Sequence, residues 1–428
     1  MSNKGNLSIL GLLALINVLN FIDRQLLASF GNYIIPDLQL TNQQFGLLTG
    51  LVFLFFYCVG GLFMGALADR VHRPRLLAAA VALWSALTAA SGAAKSFTGM
   101  MIPRLFIGIG ESAATPTSIS ILADRFPQKN MGLVTGIYYL GVPIGVAVSL
   151  LIVGYLGPVI GWRNCFYLLG GIGLGLSVLV LFIPETRGVT PDSQAAPATP
   201  VETMTFKHSF ALLTKTIAGS TALKTIFLAA IAFHLILGAA AFDQVWLVQE
   251  RGFDRDEIAV SAGWLAALGG ILGNLLGGWG SDKMYEKYGM NRARFLFWVF
   301  FLMGPIALGY RLAEPDSTLL YFGIFAGFFH LGLFYGPSYA TVQELAPEPI
   351  RAMMIGSFIL TMNLLGVAVG ATGAGIMADT LLAQGHAAPY TVTLITFTVL
   401  SALAIPMFYI CSRAYETDKH NLGKSENV

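Results

Sequence analysis

The chain alternates between long apolar blocks and short polar connections, and twelve blocks can be read along it. Six run over residues 7–36, 43–68, 76–94, 99–123, 131–156 and 162–183. After a polar gap, six more run over 222–248, 258–281, 294–310, 318–341, 352–378 and 389–410. A helix needs about 20 apolar residues to cross a hydrocarbon core. The blocks lack the alternation of apolar and polar residues that marks a membrane barrel strand. In hydrocarbon every backbone N–H and C=O must be satisfied internally, which leaves the helix, and membrane helices tolerate the Gly and Pro found inside these blocks. The pattern predicts an all-α membrane protein with twelve transmembrane helices.

The two sets of six repeat. Gly65-Ala-Leu-Ala-Asp69 closes the second block and Gly278-Trp-Gly-Ser-Asp282 closes the eighth, an offset of 213 residues. Pro127 stands nine residues before Gly136, and Pro347 nine before Gly356, an offset of 220. Parallel repeats of this kind enclose a binding site near the membrane midplane. The expected domains are an N-terminal six-helix bundle over 1–184, a linker over 185–221 and a C-terminal six-helix bundle over 222–428. Within the linker, 190–200 is a Pro/Ala/Ser/Thr stretch unable to build a core. Phe206, Phe210 and Leu213 then recur at helical spacing among Lys207, His208 and Lys215, which reads as an amphipathic helix on the inner membrane surface.

Composition sharpens this. Of 428 residues, 55% are hydrophobic and 11% charged, and the mean hydropathy is +0.69; a soluble globule carries roughly a quarter charged residues. Of the 25 Lys and Arg, 18 fall on one side of the twelve-block topology and 5 on the other. Arg24 and Arg104 fall inside blocks. Cytoplasmic loops are enriched in Lys and Arg, so both termini are expected in the cytoplasm, as in a multi-pass protein of a bacterial inner membrane. The first block is too long for a signal-peptide core and lacks a small-residue cleavage site. Cys58, Cys165 and Cys411 lie in or beside apolar blocks and read as buried small hydrophobes. Nothing suggests a disulfide, a metal site, a cofactor or nucleic-acid binding. No nucleophile–base pair supports the alternative of a membrane-embedded enzyme. A passive channel is a further alternative, which accumulation against a gradient would exclude.

The informative residues are ionisable groups within the blocks: Asp23, Arg24, Arg104, Glu111 and Asp243. Such groups are costly in a bilayer, at least about 2.5–3.5 kcal/mol at a helix centre, and normally face a cavity or a partner. Glu111 lies about 12 residues into its block, about 18 Å deep at 1.5 Å per residue. Arg104, about two turns earlier, shares its face, and Asp23 lies at a similar depth to Arg104. Helices one and four are therefore expected to present two carboxylates and two guanidiniums to one cavity. A carboxylate released from its arginine takes up a proton more readily. Asp23 and Glu111 are thus the candidate proton-coupling residues, with Arg24 and Arg104 switching partners or holding an anionic head group. The competing reading is a static ion-pair network that only fixes packing.

Other candidates carry less. Asp69, Arg70, Arg73 and Asp282 mark the repeated loops and read as a cytoplasmic gate, with the basic cluster Arg70, Arg73 and Arg75 offsetting Asp69 at a helix C-terminus, where a carboxylate is unfavourable. Gly136-Ile-Tyr-Tyr-Leu-Gly-Val-Pro-Ile-Gly145 spaces small residues for close helix packing. Tyr57, Tyr139, Asp243, Gln244, His330, Tyr339 and Asn363 are the candidate cavity residues. His330, on an apolar helix, reads more readily as a core histidine than as a proton site. The second half offers no arginine within its blocks. A cavity charged on one half and apolar on the other suits an amphiphile with an anionic or zwitterionic head.

At several stretches the chain resembles the spinster-like family within the major facilitator superfamily. They are Asn20-Phe-Ile-Asp-Arg24, Gly65–Arg75, Trp84-Ser85 with Thr88, Arg104-Leu-Phe-Ile-Gly-Ile-Gly-Glu-Ser112, Ala123-Asp-Arg-Phe-Pro127, Pro143-Ile-Gly145 and Gly269-Gly-Ile-Leu-Gly273 with Gly277-Gly278. Sugar-acid and organic-anion symporters share Asp-Arg in helix one and Gly-x-Gly-Glu in helix four. Asn130, where many superfamily loops have arginine, and Pro74, inside the basic run, depart from the pattern. The resemblance implies a major facilitator fold and function at Asp23, Arg104 and Glu111. It also implies transport of sphingolipid-like or lysophospholipid substrates. The expectation is a monomeric, proton-coupled, alternating-access transporter, surrounded by membrane lipid, that moves a lipid-like amphiphile. The alternative is a proton-coupled symporter of small organic anions such as sugar acids or monocarboxylates.

Overall fold

The structure, a computed structural model, describes residues 3–68, 70–127, 130–186, 206–315 and 317–425. Among them, twelve helices are long and apolar enough to cross a membrane. Spans 1 to 6 are Gly5–Ser29, Asn42–Gly61, Arg73–Gly92, Phe97–Ala123, Met131–Tyr155 and Gly157–Val180. Spans 7 to 12 are Thr221–Gln249, Arg255–Tyr288, Arg292–Leu312, Thr318–Leu345, Glu348–Ala383 and Pro389–Asn421. Each coincides with one of the twelve apolar blocks. Large side chains such as Phe63, Leu133, Val159, Phe182 and Leu302 are exposed, far more apolar surface than a protein bathed in water presents. The protein is a multi-pass membrane protein.

Polar residues at block edges start the helices by taking backbone N–H groups that have no partner in the first turn. Thr41 and Gln44 form a reciprocal capping box at span 2, each backbone N–H donating to the other's side chain at 3.1 Å. Ser96, Asn291 and Ser317 cap spans 4, 9 and 10. Before span 8, Asp254 accepts from the backbone N–H groups of Asp256 and Glu257 at 2.9 and 3.1 Å, bonds that hold its carboxyl below the usual range. Several spans are irregular inside; span 6, for one, kinks at Gly161, whose φ is 76°. Span 7 passes through a 3-10 turn at Ala240–Phe242, and span 11 through a π-helix at Met362–Ala368.

The chain divides into two compact units. One contains Met1–Ala198 and Gln244–Trp264, the other Thr199–Asp243 and Leu265–Val428. In the first unit glycines bring the helices together. A Cβ at Gly108 would lie 2.7 Å from the Phe53 carbonyl oxygen on span 2, and one at Gly110 3.3 Å from the Trp84 Cβ on span 3. The Gly-x-Gly-Glu segment thus presses span 4 against two neighbours. A Cβ at Gly145 of span 5 would lie 2.5 Å from the Phe21 Cβ on span 1. Gly136, at the start of that glycine series, meets nothing within 4 Å. The small-residue interface is therefore real at Gly141 and Gly145 but does not extend to Gly136.

The second unit is packed by aromatic rings. Phe233 contacts Phe300 and Phe334 at centroid distances of 4.8 and 5.0 Å, and Phe300 contacts Phe408 at 5.2 Å. The segment Phe206–Gly219 is helical. It buries Leu213 and leaves Phe210, His208 and Lys215 exposed. The Pro-rich stretch 190–200 lies outside the described residues.

Candidate functional site

Span 1 is held against span 4 by the charges that hydropathy alone could not pair. Arg24 donates from Nη2 and Nε to Glu111 Oε2, at 3.0 and 3.2 Å. Its Nη2 also donates to Asn20 Oδ1 at 3.3 Å, one turn back on the same helix. The Arg24 guanidinium lies over the Tyr57 ring at 4.3 Å and the Phe21 ring at 4.9 Å, a geometry that attracts a cation to the ring face. The Glu111 side chain is completely buried, whereas that of Arg24 is 20% exposed.

Arg104 does not pair with Glu111, although the two share a helix face. It turns to span 1, where its Nη1 and Nη2 donate to the carbonyl oxygens of Asp23 and Arg24 at 3.3 and 3.4 Å. Its guanidinium lies 4.8 Å from the Phe53 ring. Asp23 is buried beside it, and among the described residues neither of its carboxyl oxygens has a hydrogen-bond partner. Asp23, Arg24, Arg104 and Glu111 do come together as the sequence suggested. They form a sealed cluster rather than a set of charges lining one open cavity, and Arg24 is the member that reaches accessible space.

The cavity candidates disperse. Tyr57 belongs to the cluster through Arg24, while Tyr139 is exposed. Gln244 is buried in the first unit, its backbone carbonyl accepting from Asn32 at 2.8 Å. In the second unit Asp243 accepts from Arg311 Nη1 at 2.7 Å. This corrects the reading that the second half has no intramembrane arginine: Arg311 lies within span 9 and its side chain is 3% exposed. His330 is buried against Phe300, 5.1 Å between centroids. Tyr339 packs between Tyr335 and Phe358. Asn363 lies in the π-helix and donates to the Ile359 carbonyl oxygen at 2.9 Å.

At the gate loops, Asp69 lies outside the described residues and Arg70 is exposed. Arg73 is buried and bound elsewhere. Its Nη2 donates to Asp124 at 2.5 Å and to Glu185 at 2.6 Å, and its Nη1 to Ser120 Oγ at 2.9 Å. In the second unit Arg292 donates to Asp282 at 2.8 Å and to Glu344, which also accepts from Tyr415. Arg292 and Glu344 stand 219 and 220 residues after Arg73 and Asp124. The ion-pair knot is thus part of the internal repeat, and it ties the ends of several helices in each unit. Asp124 stands in the sequence only as part of a matched stretch, and Glu185 and Glu344 not at all, because acids at block ends look like ordinary solvated residues. The repeat offset of 220 was the signal that could have found the Asp124–Glu344 correspondence.

Residues 13–371 match the family model described as Major Facilitator Superfamily. The chain belongs to that superfamily of transporters. An MFS-type efflux pump of Mycolicibacterium smegmatis is 26% identical over 421 residues, 95% of this chain and 93% of the relative. The hexuronate transporter of Bacillus subtilis is 31% identical over 294 residues, 67% of each chain. Among solved structures, an inward-facing, unoccupied bacterial homolog of the human lysosomal transporter Spinster superposes with a TM-score of 0.84 at 22% identity. The match covers 98% of this chain and 99% of that one. This fixes the major facilitator fold, two pseudo-symmetric six-helix bundles, and matches the spinster-like resemblance read in the sequence.

Proposed function

We propose that this transporter works by proton-coupled alternating access and carries an amphiphile with an anionic head group, of the lysophospholipid or sphingoid phosphate kind. The observation that carries the reading is the Arg24–Glu111 pair, in which a sealed carboxylate is held by a guanidinium that is itself one-fifth exposed. An incoming carboxylate or phosphate can take Arg24 bidentately, as guanidinium groups favour. Glu111, losing its cation in a low-dielectric surrounding, then takes up a proton. Asp23 is the second proton site, with Arg104 anchoring its helix. Substrate binding and protonation are thereby linked through one guanidinium. The two six-helix bundles, 1–184 and 222–428, rock about the site. The repeated knots at Arg73 and Arg292 act as the gate on the cytoplasmic side of a bacterial inner membrane, where both termini lie.

The lipid-like substrate is supported by the likeness to a probable sphingolipid transporter, spinster homolog 1, of Arabidopsis thaliana, 25% identical over 214 residues. A second reading, symport of a small organic anion, is favoured by the identity to a hexuronate transporter. Proteoliposomes under an imposed pH gradient separate them when offered sphingosine-1-phosphate, a lysophospholipid and glucuronate. Uptake of the lipids, lost in Glu111→Gln, is the expected result. Uptake of glucuronate alone would replace the lipid assignment, and uptake indifferent to pH in both the native protein and Glu111→Gln would remove proton coupling.

A further inference from the structure

A cavity of about 470 Å³ lies at the end of the first unit opposite the N-terminus. Tyr33 and Asp37 after span 1, Trp162 and Arg163 on span 6 and Arg255 at the start of span 8 line it. Its volume is that of a small-ligand site. The expected topology places it on the outer face, where the sequence puts 5 of its 25 Lys and Arg, and two of those five stand in this wall. Each wall segment is aimed by a residue in the left-handed region. Gln39 (φ 52°) stands two residues after Asp37, Gly161 (φ 76°) just before Trp162 and Gly252 (φ 74°) three before Arg255. Gln39 is the one residue other than glycine in that region among the described residues. Its side chain makes the conformation costly, so it persists only where the surroundings hold the chain in place.

The charges in this wall are unequally satisfied. On one side, Trp162 Nε1 donates to Asp37 Oδ2 at 3.0 Å, and Arg163 Nη1 donates to the same oxygen. Arg163 Nη2 donates to the Ala94 carbonyl oxygen at 3.0 Å. Both bonds to Asp37 end on one oxygen and its side chain is 43% exposed, so Oδ1 is left for a donor from outside the protein. On the other side, the Arg255 guanidinium lies 3.9 Å from the centre of the Tyr33 ring, a stacking that fixes its plane. Among the described residues the carboxylate within 4 Å of it is Asp256, 3.9 Å from Nε, and that oxygen already accepts from the Tyr33 hydroxyl. Arg255 is thus held in place with its donors largely unspent, and its side chain is 47% exposed. A lone anion here would also meet Asp37, and a lone cation would meet two guanidiniums. A head group carrying both signs meets one unspent group of each kind. A guanidinium grips phosphate through paired N–H donors, and an ammonium brings three donors to a carboxylate. Aromatic residues at span ends mark the membrane–water interface, the level of lipid head groups. We propose that this cavity binds a zwitterionic phosphate–amine head group of the phosphoethanolamine kind, its phosphate on Arg255 and its ammonium on Asp37 Oδ1. The site shares no residue with the cluster around Arg24 and Glu111 and stands whether or not transport is proton-coupled.

Native mass spectrometry of the full-length protein, offered phosphatidylethanolamine and phosphatidylglycerol in equal amounts, tests the site. The two lipids share the phosphate and differ in the amine. The native protein is expected to retain phosphatidylethanolamine about tenfold more tightly, and Arg255→Gln should weaken both lipids about tenfold, the loss of one charge-assisted contact. Asp37→Asn should weaken phosphatidylethanolamine alone and so abolish the preference. Arg255 is exposed, so its variant should fold. Asp37 also holds Arg163; if its variant does not fold, the lipid comparison in the native protein still tests the amine contact. Free phosphoethanolamine added as a competitor separates the sources. Displacement of the lipid supports a site for the head group alone, and retention of the lipid supports a site for a membrane lipid held also by its tails. Equal retention of the two lipids by the native protein, or phosphatidylethanolamine binding unchanged in either variant, would overturn the proposal.

Discussion

In the first unit two arginines and two carboxylates share one buried cluster, yet only Arg24 and Glu111 form an ion pair. In the second, Asp243 and Arg311 form a pair of one acid and one base. The difference lies in spare bonding capacity. Arg104 donates from Nη1 and Nη2 to backbone carbonyls while its Nε has no acceptor, and among the described residues neither Asp23 carboxyl oxygen accepts a hydrogen bond. A cluster with unmet valences can accept a proton or an anion and rearrange. The Asp243–Arg311 pair loses its short hydrogen bond by the same event. Coupling is therefore expected to reside in the first unit, with the second pair holding span 7 to span 9.

Removing the central cation should have the largest effect. Arg24→Ala leaves Glu111 buried without a counter-charge, which costs about 3–5 kcal/mol. The sign with pH follows from the carboxylate: once protonated, Glu111 needs no cation. The loss should be full at alkaline pH and shrink as the medium becomes acidic. Thermal unfolding of the purified protein in detergent across a pH series measures it. A loss of equal size at every pH would mean that Arg24 acts through its stacking on Tyr57 and Phe21 instead.

The twelve spans could be read from the sequence because the bilayer imposes their length and polarity one helix at a time. Partners across helices depend on rotation and depth, which hydropathy leaves open. Arg104 and Glu111, seven residues apart, share a helix face, but about 10 Å of helical rise separates them. Arg24, on another helix, meets Glu111 head-on. Arg311 was missed for a different reason: it follows the block that ends at residue 310 and so counted as a loop residue, although the helix carries it into the buried pair. Asp243, near the same end of its own block, was the available hint. The polar face of span 3 appeared only as a resemblance, since Trp84, Ser85 and Thr88 carry no charge to draw attention to a membrane helix.

A smaller effect is expected where span 5 supports the charged helix. Gly145→Leu forces a side chain into the Phe21 Cβ and the Val18 carbonyl oxygen, and overpacking of this kind costs about 1–3 kcal/mol. Because span 1 carries Asp23 and Arg24, the displacement should also lower transport. Gly136→Ala meets open space and should leave both stability and transport unchanged. Equal loss in the two variants would show that the glycine series acts through helix flexibility, not contact.

The smallest effect is expected at the matched pair, provided both partners are replaced. Arg311→Met alone strands Asp243, whose side chain is 32% exposed, so water offsets part of the loss. Asp243→Leu combined with Arg311→Met removes both charges, and exchanging a buried pair for apolar residues of similar volume is often neutral or stabilising. The double variant should lie within about 1 kcal/mol of the native protein in detergent unfolding. Its transport should keep the native pH profile, since the proposed proton-exchanging groups, Asp23 and Glu111, are in the other unit. A displaced pH profile in this variant would move part of the coupling into the second unit. One-to-one pairing would then no longer distinguish a structural pair from a working one.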